Sequence, residues 1–383
     1  MLDLAARLAQ LDRAGLTRRR RRVESAQGAF LIVDGKRYLS FCSNDYLGLA
    51  NHPALIEAAH AGARTFGVGA GASHLISGHT TAHEELEIAL ARFVGMHRAL
   101  YFSTGYMANL GVATALMGRG DAVFSDALNH ASLIDAARLS RADVQVYPHC
   151  DVESLEQQLA TSRAANKVVL TDAVFSMDGD IAPLPRLLEL CERYGAWQLA
   201  DDAHGFGVLG PQGRGTAAHF GLRSDRLIYV GTLGKAAGVS GAFVAGAPDL
   251  IEWVVQRART YIFTTATPPM LACALLASLG LIENQEWRRE RLRDLVRHLR
   301  DRLTGLPQHL LASTTAIQAV IVGDNTAAVN ASERLREIGI WVPAIRPPTV
   351  PEGTARLRIS LSATHTVEHV EQLADALHAL GRD

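Results

Sequence analysis

Two hydrophobic patterns alternate between residues 47 and 245. Short, nearly continuous apolar runs occur at Ala99–Phe102, Ala122–Ser125, Val144–Tyr147, Lys167–Thr171, Trp197–Ala200 and Leu227–Val230. Between them lie stretches in which apolar residues return every three or four positions, such as His83–Val94 and Leu184–Tyr194. The runs have the length of strands covered on both faces, and the stretches have the period of helices with one face against a core. Alternating strand and helix predicts βαβ units and a mainly parallel sheet, so the fold class is α/β.

The ends of the chain read differently. Leu4, Leu8 and Leu11 have helical spacing. The stretch "GAFLIVDGKRYLSFCSNDYLGL" predicts two short strands around an Asp-Gly turn. In "SGHTTAHEELE", Thr80 or Thr81 is a candidate helix cap, with Glu84 or Glu85 in the first turn. "PPMLACALLASLGLI" (Pro268–Ile282) reads as a buried helix after a Pro-Pro start. Past Ile282 a long charged helix leads into α+β character, with strands near Ala316–Val322 and Arg356–Ser360 and helices near Ala327–Ile338 and Val367–Leu380. The predicted division is an N-terminal helix and hairpin segment (1–46), a large α/β domain (47–283) and a smaller C-terminal α+β domain (284–383).

Composition narrows the function classes. With 48% hydrophobic and 20% charged residues the chain can build a sizeable core, and a net charge of −1 gives no electrostatic case for a nucleic acid or membrane partner. The four cysteines, Cys42, Cys150, Cys191 and Cys273, are far apart without a C-x-x-C, which argues against a disulfide framework and a zinc site. No segment reaches the ~18 apolar residues of a membrane helix. Asp3 and Asp12 in the amphipathic N-terminus argue against a signal or transit peptide, and the expected location is cytoplasmic. Arg18–Arg22 is a solvated face, a nuclear signal or a phosphate patch.

In open α/β sheets ligands bind at the carboxyl ends of the strands. Five of those ends carry "STGY", "DALNH", "DAVFSMDGD", "DDAHG" and "GTLGK". The last belongs to "VGTLGKAAGVSG", where Lys235 is the one charge in a glycine-rich loop. A phosphate-cradling Walker A loop is excluded, because Ala236 replaces the Ser/Thr and Tyr229 the leading glycine. G-x-S-x-G and H-E-x-x-H are also missing, so neither a serine hydrolase nor a metal site is expected. A weakly charged pocket disfavours the ammonium, which suits a lysine that forms an imine with a carbonyl. If that carbonyl is pyridoxal 5′-phosphate, the ring nitrogen needs a carboxylate, the phenolic oxygen a donor, the ring face a stacking partner and the phosphate a helix start. Asp201, His204, His130, and Gly105 with Tyr106 are candidates in that order, and Thr232 adds a hydroxyl.

"SNDYLGLANHP", "GAGASHLISGHTTAHEELE", "FSTGYMAN", "DALNHASLIDA", "TDAVFSMDGD", "DDAHGFGVLGPQGRG" and "GTLGKAAGVSGAF" closely resemble the α-oxoamine synthases over essentially the whole chain. These are fold-type-I pyridoxal-phosphate transferases that condense an amino acid with an acyl thioester. The resemblance implies a large domain built on a mainly parallel seven-stranded sheet and a smaller C-terminal domain. "AIQAVIVGDN" and "AIRPPTVPEGTARLRISLSATHT" look like the branch that makes a biotin precursor from L-alanine and pimeloyl-CoA or pimeloyl-acyl carrier protein. The alternative is a sister enzyme using glycine, either a glycine C-acetyltransferase or a 5-aminolevulinate synthase.

Carried over, the resemblance implies that Lys235 holds the cofactor and moves the α-proton, while Asp201 pairs with the ring nitrogen. Ser176 and His204 would bond near the ring oxygen, and His130 would stack on the ring. Gly105, Tyr106 and Thr232 would hold the phosphate, with Thr264 or Thr265 reaching in from the second subunit of a homodimer. Arg358, with Asn44, would bind the amino acid's carboxylate. Arg20 and Thr349 would line the acyl site.

Overall fold

The computed structural model describes residues 2–306 and 309–381. The chain divides into two compact units. One comprises Leu49–Ser176 and Ile181–Glu286; the other comprises the described residues of Met1–Gly48, Met177–Asp180 and Trp287–Asp383.

The second unit begins with the helix Leu4–Arg13, capped by Asp3, whose carboxylate accepts from the N–H of Ala6 at 3.0 Å. Strands β1 (Phe30–Val33) and β2 (Lys36–Ser40) form the antiparallel hairpin expected from the Asp-Gly signal. Asp34 and Gly35 both take positive φ, 48° and 76°, the left-handed geometry that two-residue hairpin turns require.

The six apolar runs of the first unit become strands: β3 (Arg98–Phe102), β4 (Ala122–Asp126), β5 (Asp143–Tyr147), β6 (Lys167–Asp172), β7 (Trp197–Asp201) and β8 (Leu227–Thr232). A seventh, β9 (Ala242–Gly246), completes the order β3-β9-β8-β7-β6-β4-β5. β9 is antiparallel to both of its neighbours, and every other pairing is parallel. Every residue of β4 and β9 is buried, and Val168, Leu170, Leu199, Ile228, Val230 and Val244 share one core with Val112 and Leu133 of the flanking helices Gly105–Leu116 and Ala131–Ser140. Burial on both faces explains why these strands read as apolar runs and not as alternating sequence.

The helix Thr81–Val94 starts with a capping box at Thr80, but the partner is His83 and not a glutamate. The N–H of Thr80 donates to His83 Nδ1 at 3.0 Å. Pro269–Asn284 is the buried helix expected after the Pro-Pro start. No helix of the described residues is long and apolar enough to cross a membrane.

Within the second unit, the charged helix Glu286–Arg302 precedes β10 (His309–Leu310), β11 (Ile317–Gly323), β12 (Ile340–Trp341), β13 (Ala344–Ile345) and β14 (Ala355–Ser360). β10, β11, β14 and β13 form a four-stranded antiparallel sheet. β12 instead pairs in parallel with β2, joining the N-terminal hairpin to the C-terminal part of the chain.

Candidate active site

In the first unit, several strand ends open on one cavity of about 190 Å³. Its lining includes Gly105, Tyr106, His130, Ser176, Asp201, His204, Thr232 and Lys235, the predicted residues of this unit except Thr264 and Thr265. Those two threonines follow the short helix Arg259–Ile262 and do not line it.

Lys235 lies in the connection from β8 to β9. Leu233 N–H donates to Gly241 O at 2.8 Å, Val239 N–H to Leu233 O at 3.1 Å and Gly238 N–H to Lys235 O at 2.9 Å, so the loop is closed on itself. Leu233, Ala236 and Ala237 are buried beneath it. Gly238 has φ +71°, and a Cβ there would sit 2.6 Å from backbone atoms of Leu49 and Ala50. Gly238→Ala is therefore expected to destabilise the fold by about 2 kcal/mol or more, combining left-handed strain with overpacking against unyielding backbone. A melting temperature equal to the parent's would contradict this account of the loop.

The Lys235 amine is 2.8 Å from His204 Nε2. Asp201 ends β7, and side chains alternate sides there, which separates it from its neighbour Asp202. Asp202 accepts from Thr216 N–H at 2.7 Å, Thr216 Oγ1 at 2.5 Å and Tyr229 OH at 2.7 Å, all within buried packing. Burial pushes its carboxyl up to about 6, opposed by these hydrogen bonds. Asp201 accepts from Ala203 N–H at 3.0 Å and from Asn109 Nδ2 at 2.6 Å. Of the two acids in "LADDAHG", Asp202 supports the turn and Asp201 reaches the cavity.

Asn109 and Asp172 are functional candidates that sequence reasoning missed. Asn109 is fully buried in the helix Gly105–Leu116; its Nδ2 also donates to Ser132 Oγ at 2.8 Å, and its Oδ1 has no partner. A buried amide in the otherwise apolar stretch "MANLGVATALM" was the available signal. Asp172 ends β6 directly opposite Asp201 in the parallel register and lines the same cavity. It accepts from the backbone N–H of His130 at 3.2 Å. Its carboxyl lies well above the usual carboxylate range, first because it is buried and second because Asp201 is beside it. One acid of the pair is thus held neutral while its neighbour keeps a negative charge.

His130 caps the helix Ala131–Ser140, with Nδ1 accepting from Ser132 N–H at 3.2 Å. Thr104 caps the helix beginning at Gly105, accepting from Met107 N–H at 3.1 Å. A Cβ on Gly105 would meet Thr232 Oγ1 at 2.9 Å, so glycine leaves room for a group between this helix start and that hydroxyl. Tyr106 OH donates to Asp135.

The remaining predicted residues lie in the second unit. Arg358, on β14, is buried; its Nη1 donates to Asn44 Oδ1 at 3.2 Å and Ser360 Oγ at 2.7 Å. Tyr46 OH donates to the same Asn44 Oδ1 at 3.2 Å. Thr349 is exposed. Arg19 and Arg21 line a cavity of about 400 Å³ with Arg336 and Arg346, whereas Arg20 is exposed and outside it. The arginine run is not helical, and successive side chains of an extended segment face opposite ways.

The aminotransferase class I and II family model matches residues 36–377. An 8-amino-7-oxononanoate synthase of Herminiimonas arsenicoxydans is 62% identical over 381 residues, 98% of each chain. That of Nitrosomonas europaea is 59% identical over 386 residues, covering 100% of both. Among solved structures, serine palmitoyltransferase from S. paucimobilis with bound pyridoxal phosphate superposes with a TM-score of 0.93 at 33% identity, over 99% of this chain and 96% of that one. The 8-amino-7-oxononanoate synthase of Francisella tularensis gives 0.78 at 31% identity, over 89% and 97%.

The cofactor is pyridoxal 5′-phosphate. The cavity fits it: an amine, a fixed carboxylate in a doubly acidic pair, a capped helix start and a side-chain-free position beside a hydroxyl are the donors and acceptors that such a ring and phosphate need. With near-complete coverage and identity far above the level at which function classes are shared, the chain belongs to the 8-amino-7-oxononanoate synthases of the class I and II aminotransferase family.

Proposed function

We propose that the chain condenses L-alanine with a pimeloyl thioester to give 8-amino-7-oxononanoate, carbon dioxide and free thiol, a step of biotin biosynthesis in the cytoplasm. The observation that carries this reading is the Lys235 amine 2.8 Å from His204 in a cavity shared with an oriented Asp201. Bound pyridoxal phosphate supplies a ring that takes up negative charge from the carbon beside the amino nitrogen.

The chain's own residues do the rest. Lys235 holds the cofactor and moves a proton at the amino acid's α-carbon through Nζ. Asp201 keeps a proton on the ring nitrogen, and Asn109 holds that carboxylate in place. His130 stacks on the ring, and Ser176 and His204 face its oxygen. Gly105, Tyr106 and Thr232 bind the phosphate, assisted by Thr264 or Thr265 of a second subunit in a homodimer. Arg358 and Asn44 take the amino acid's carboxylate, orienting the bond that breaks when carbon dioxide leaves. Arg20 and Thr349 serve the acyl chain.

Testing alanine and glycine against pimeloyl-, acetyl- and succinyl-CoA, with thiol release as the readout, decides the substrate assignment. Release with alanine and pimeloyl-CoA is expected; release confined to glycine with a short acyl donor would move the chain to a sister activity. Arg358→Lys keeps the charge but loses the planar fork, so the alanine KM is expected to rise about tenfold with kcat little changed. An unaltered KM would remove Arg358 from carboxylate binding. Asn109→Ala removes one hydrogen bond to a carboxylate and is expected to lower kcat about tenfold or more. The cofactor's absorption spectrum should shift with it, and a parental spectrum and kcat would make Asn109 merely structural.

A further inference from the structure

The carboxyl ends of β4 and β5 bring together a carboxylate, an imidazole and a thiol, none of which lines the cofactor cavity. Asp126, the last residue of β4, is buried and accepts three hydrogen bonds: from Leu128 N–H at 2.8 Å, Cys150 N–H at 2.8 Å and His149 Nδ1 at 3.0 Å. An ionised carboxylate only accepts, so the hydrogen of the neutral imidazole is on Nδ1 and Nε2 keeps its lone pair. That nitrogen is 3.7 Å from Cys150 Sγ, within reach of a sulfur hydrogen bond. The ring of Phe175 packs edge-on against the imidazole at 4.3 Å and 89°, fixing its plane.

Adjacent side chains on an extended backbone point apart. Cys150 has φ +56°, a left-handed conformation that is costly for a residue with a Cβ, and this turn brings its thiol back to the preceding ring. The imidazole is 28% exposed and Cys150 half-buried, so a small reagent can reach both. A nucleophile, a base in contact with it and a third group orienting the base are the parts of an activated thiol.

We propose that Cys150 is a base-activated thiol and that the Cys150–His149–Asp126 relay is a modification site for hydroperoxides. The thiol proton passes to His149 Nε2, and the sulfur attacks the peroxide oxygen. An S–O bond forms and the O–O bond breaks. The proton goes to the leaving oxygen as water or an alcohol. Sulfur is oxidised to the sulfenic acid and the peroxide is reduced, with no further reactant.

The other thiols lack this arrangement. Cys42 donates to Trp341 O at 3.1 Å, and burial pushes it up to about 12. Burial also raises Cys191, which donates to Trp197 O at 3.7 Å, and Cys273.

The test treats the holoenzyme with limiting hydrogen peroxide, traps sulfenic acid with dimedone and maps the adducts by mass spectrometry against time. Cys150 is expected to react at least about tenfold faster than Cys42, Cys191 or Cys273, and His149→Gln to slow it about tenfold while leaving the others unchanged. A parent protein in which Cys150 reacts no faster than Cys273 overturns the proposal, and that comparison needs no variant. Unaltered Cys150 labelling in folded His149→Gln protein overturns the role of the base. Labelling is read without turnover, so the result is independent of the substrate assignment.

Discussion

Lys235→Ala is expected to abolish measurable turnover, a loss of at least about 10³-fold, because it removes both the cofactor's attachment and the group that moves the α-proton. Borohydride, which should fix cofactor covalently to the parent chain, is expected to leave none on the variant. The fold should survive. Lys235 is only half-buried, and the contacts closing its loop run through the backbone of Leu233, Val239 and Gly241 rather than its side chain. Loss of activity with a parental melting temperature is thus the expected signature. A Lys235→Ala protein that turns over normally would end the assignment of this lysine, and with it the reading of the cavity.

Asp201→Ala is expected to have the second largest effect, a fall in kcat of about 10²-fold or more together with weaker cofactor retention on dialysis. Asp201 is the acid that its neighbours orient towards the cavity, held by Ala203 N–H at 3.0 Å and Asn109 Nδ2 at 2.6 Å. Its parallel-strand neighbour Asp172 is not an equivalent replacement, because burial and Asp201 itself keep that carboxyl well above the usual range. Removing Asp201 relieves part of that pressure, so some rescue by Asp172 is built into the register. Asp172→Asn combined with Asp201→Ala should therefore lose more activity than Asp201→Ala alone. Parental kcat and cofactor binding in Asp201→Ala would refute its role at the ring nitrogen.

Much of this was legible in the sequence because the chemistry sits where the pattern changes. Each apolar run announced a strand, and the residue after it was a candidate by topology alone; Asp201, His130 and Lys235 were reached in this way. β9 was not, since alternating strand and helix has no place for an antiparallel strand that follows a glycine loop without a helix. Asp172 and Asn109 escaped for a different reason. Their importance comes from what they face, Asp201 in both cases, and neither register nor helix rotation is written in local composition. Arg20 shows the same limit at one-residue scale. Which members of an arginine run share a cavity depends on which way an extended backbone turns its side chains, and here Arg19 and Arg21 do. The two-residue pairing of β12 with β2 is too short, and too distant along the chain, to leave any periodic trace.

The antiparallel placement of β9 beside β8 bears on how fast Lys235 can move. The loop leaves the sheet at Thr232 and returns at Ala242, residues that pair with each other, so its two ends are fastened side by side to one rigid body. With Leu233 bonded to Gly241 as well, the lysine's backbone has almost no freedom to drift. Between turnovers the amine releases the cofactor and takes it up again by torsions of its own four-carbon stem. Such torsions belong to the picosecond–nanosecond range, whereas a mobile loop would need nanoseconds to microseconds. The tether thus keeps return of the lysine from limiting the cycle, and leaves binding, bond breaking or product departure to set its pace.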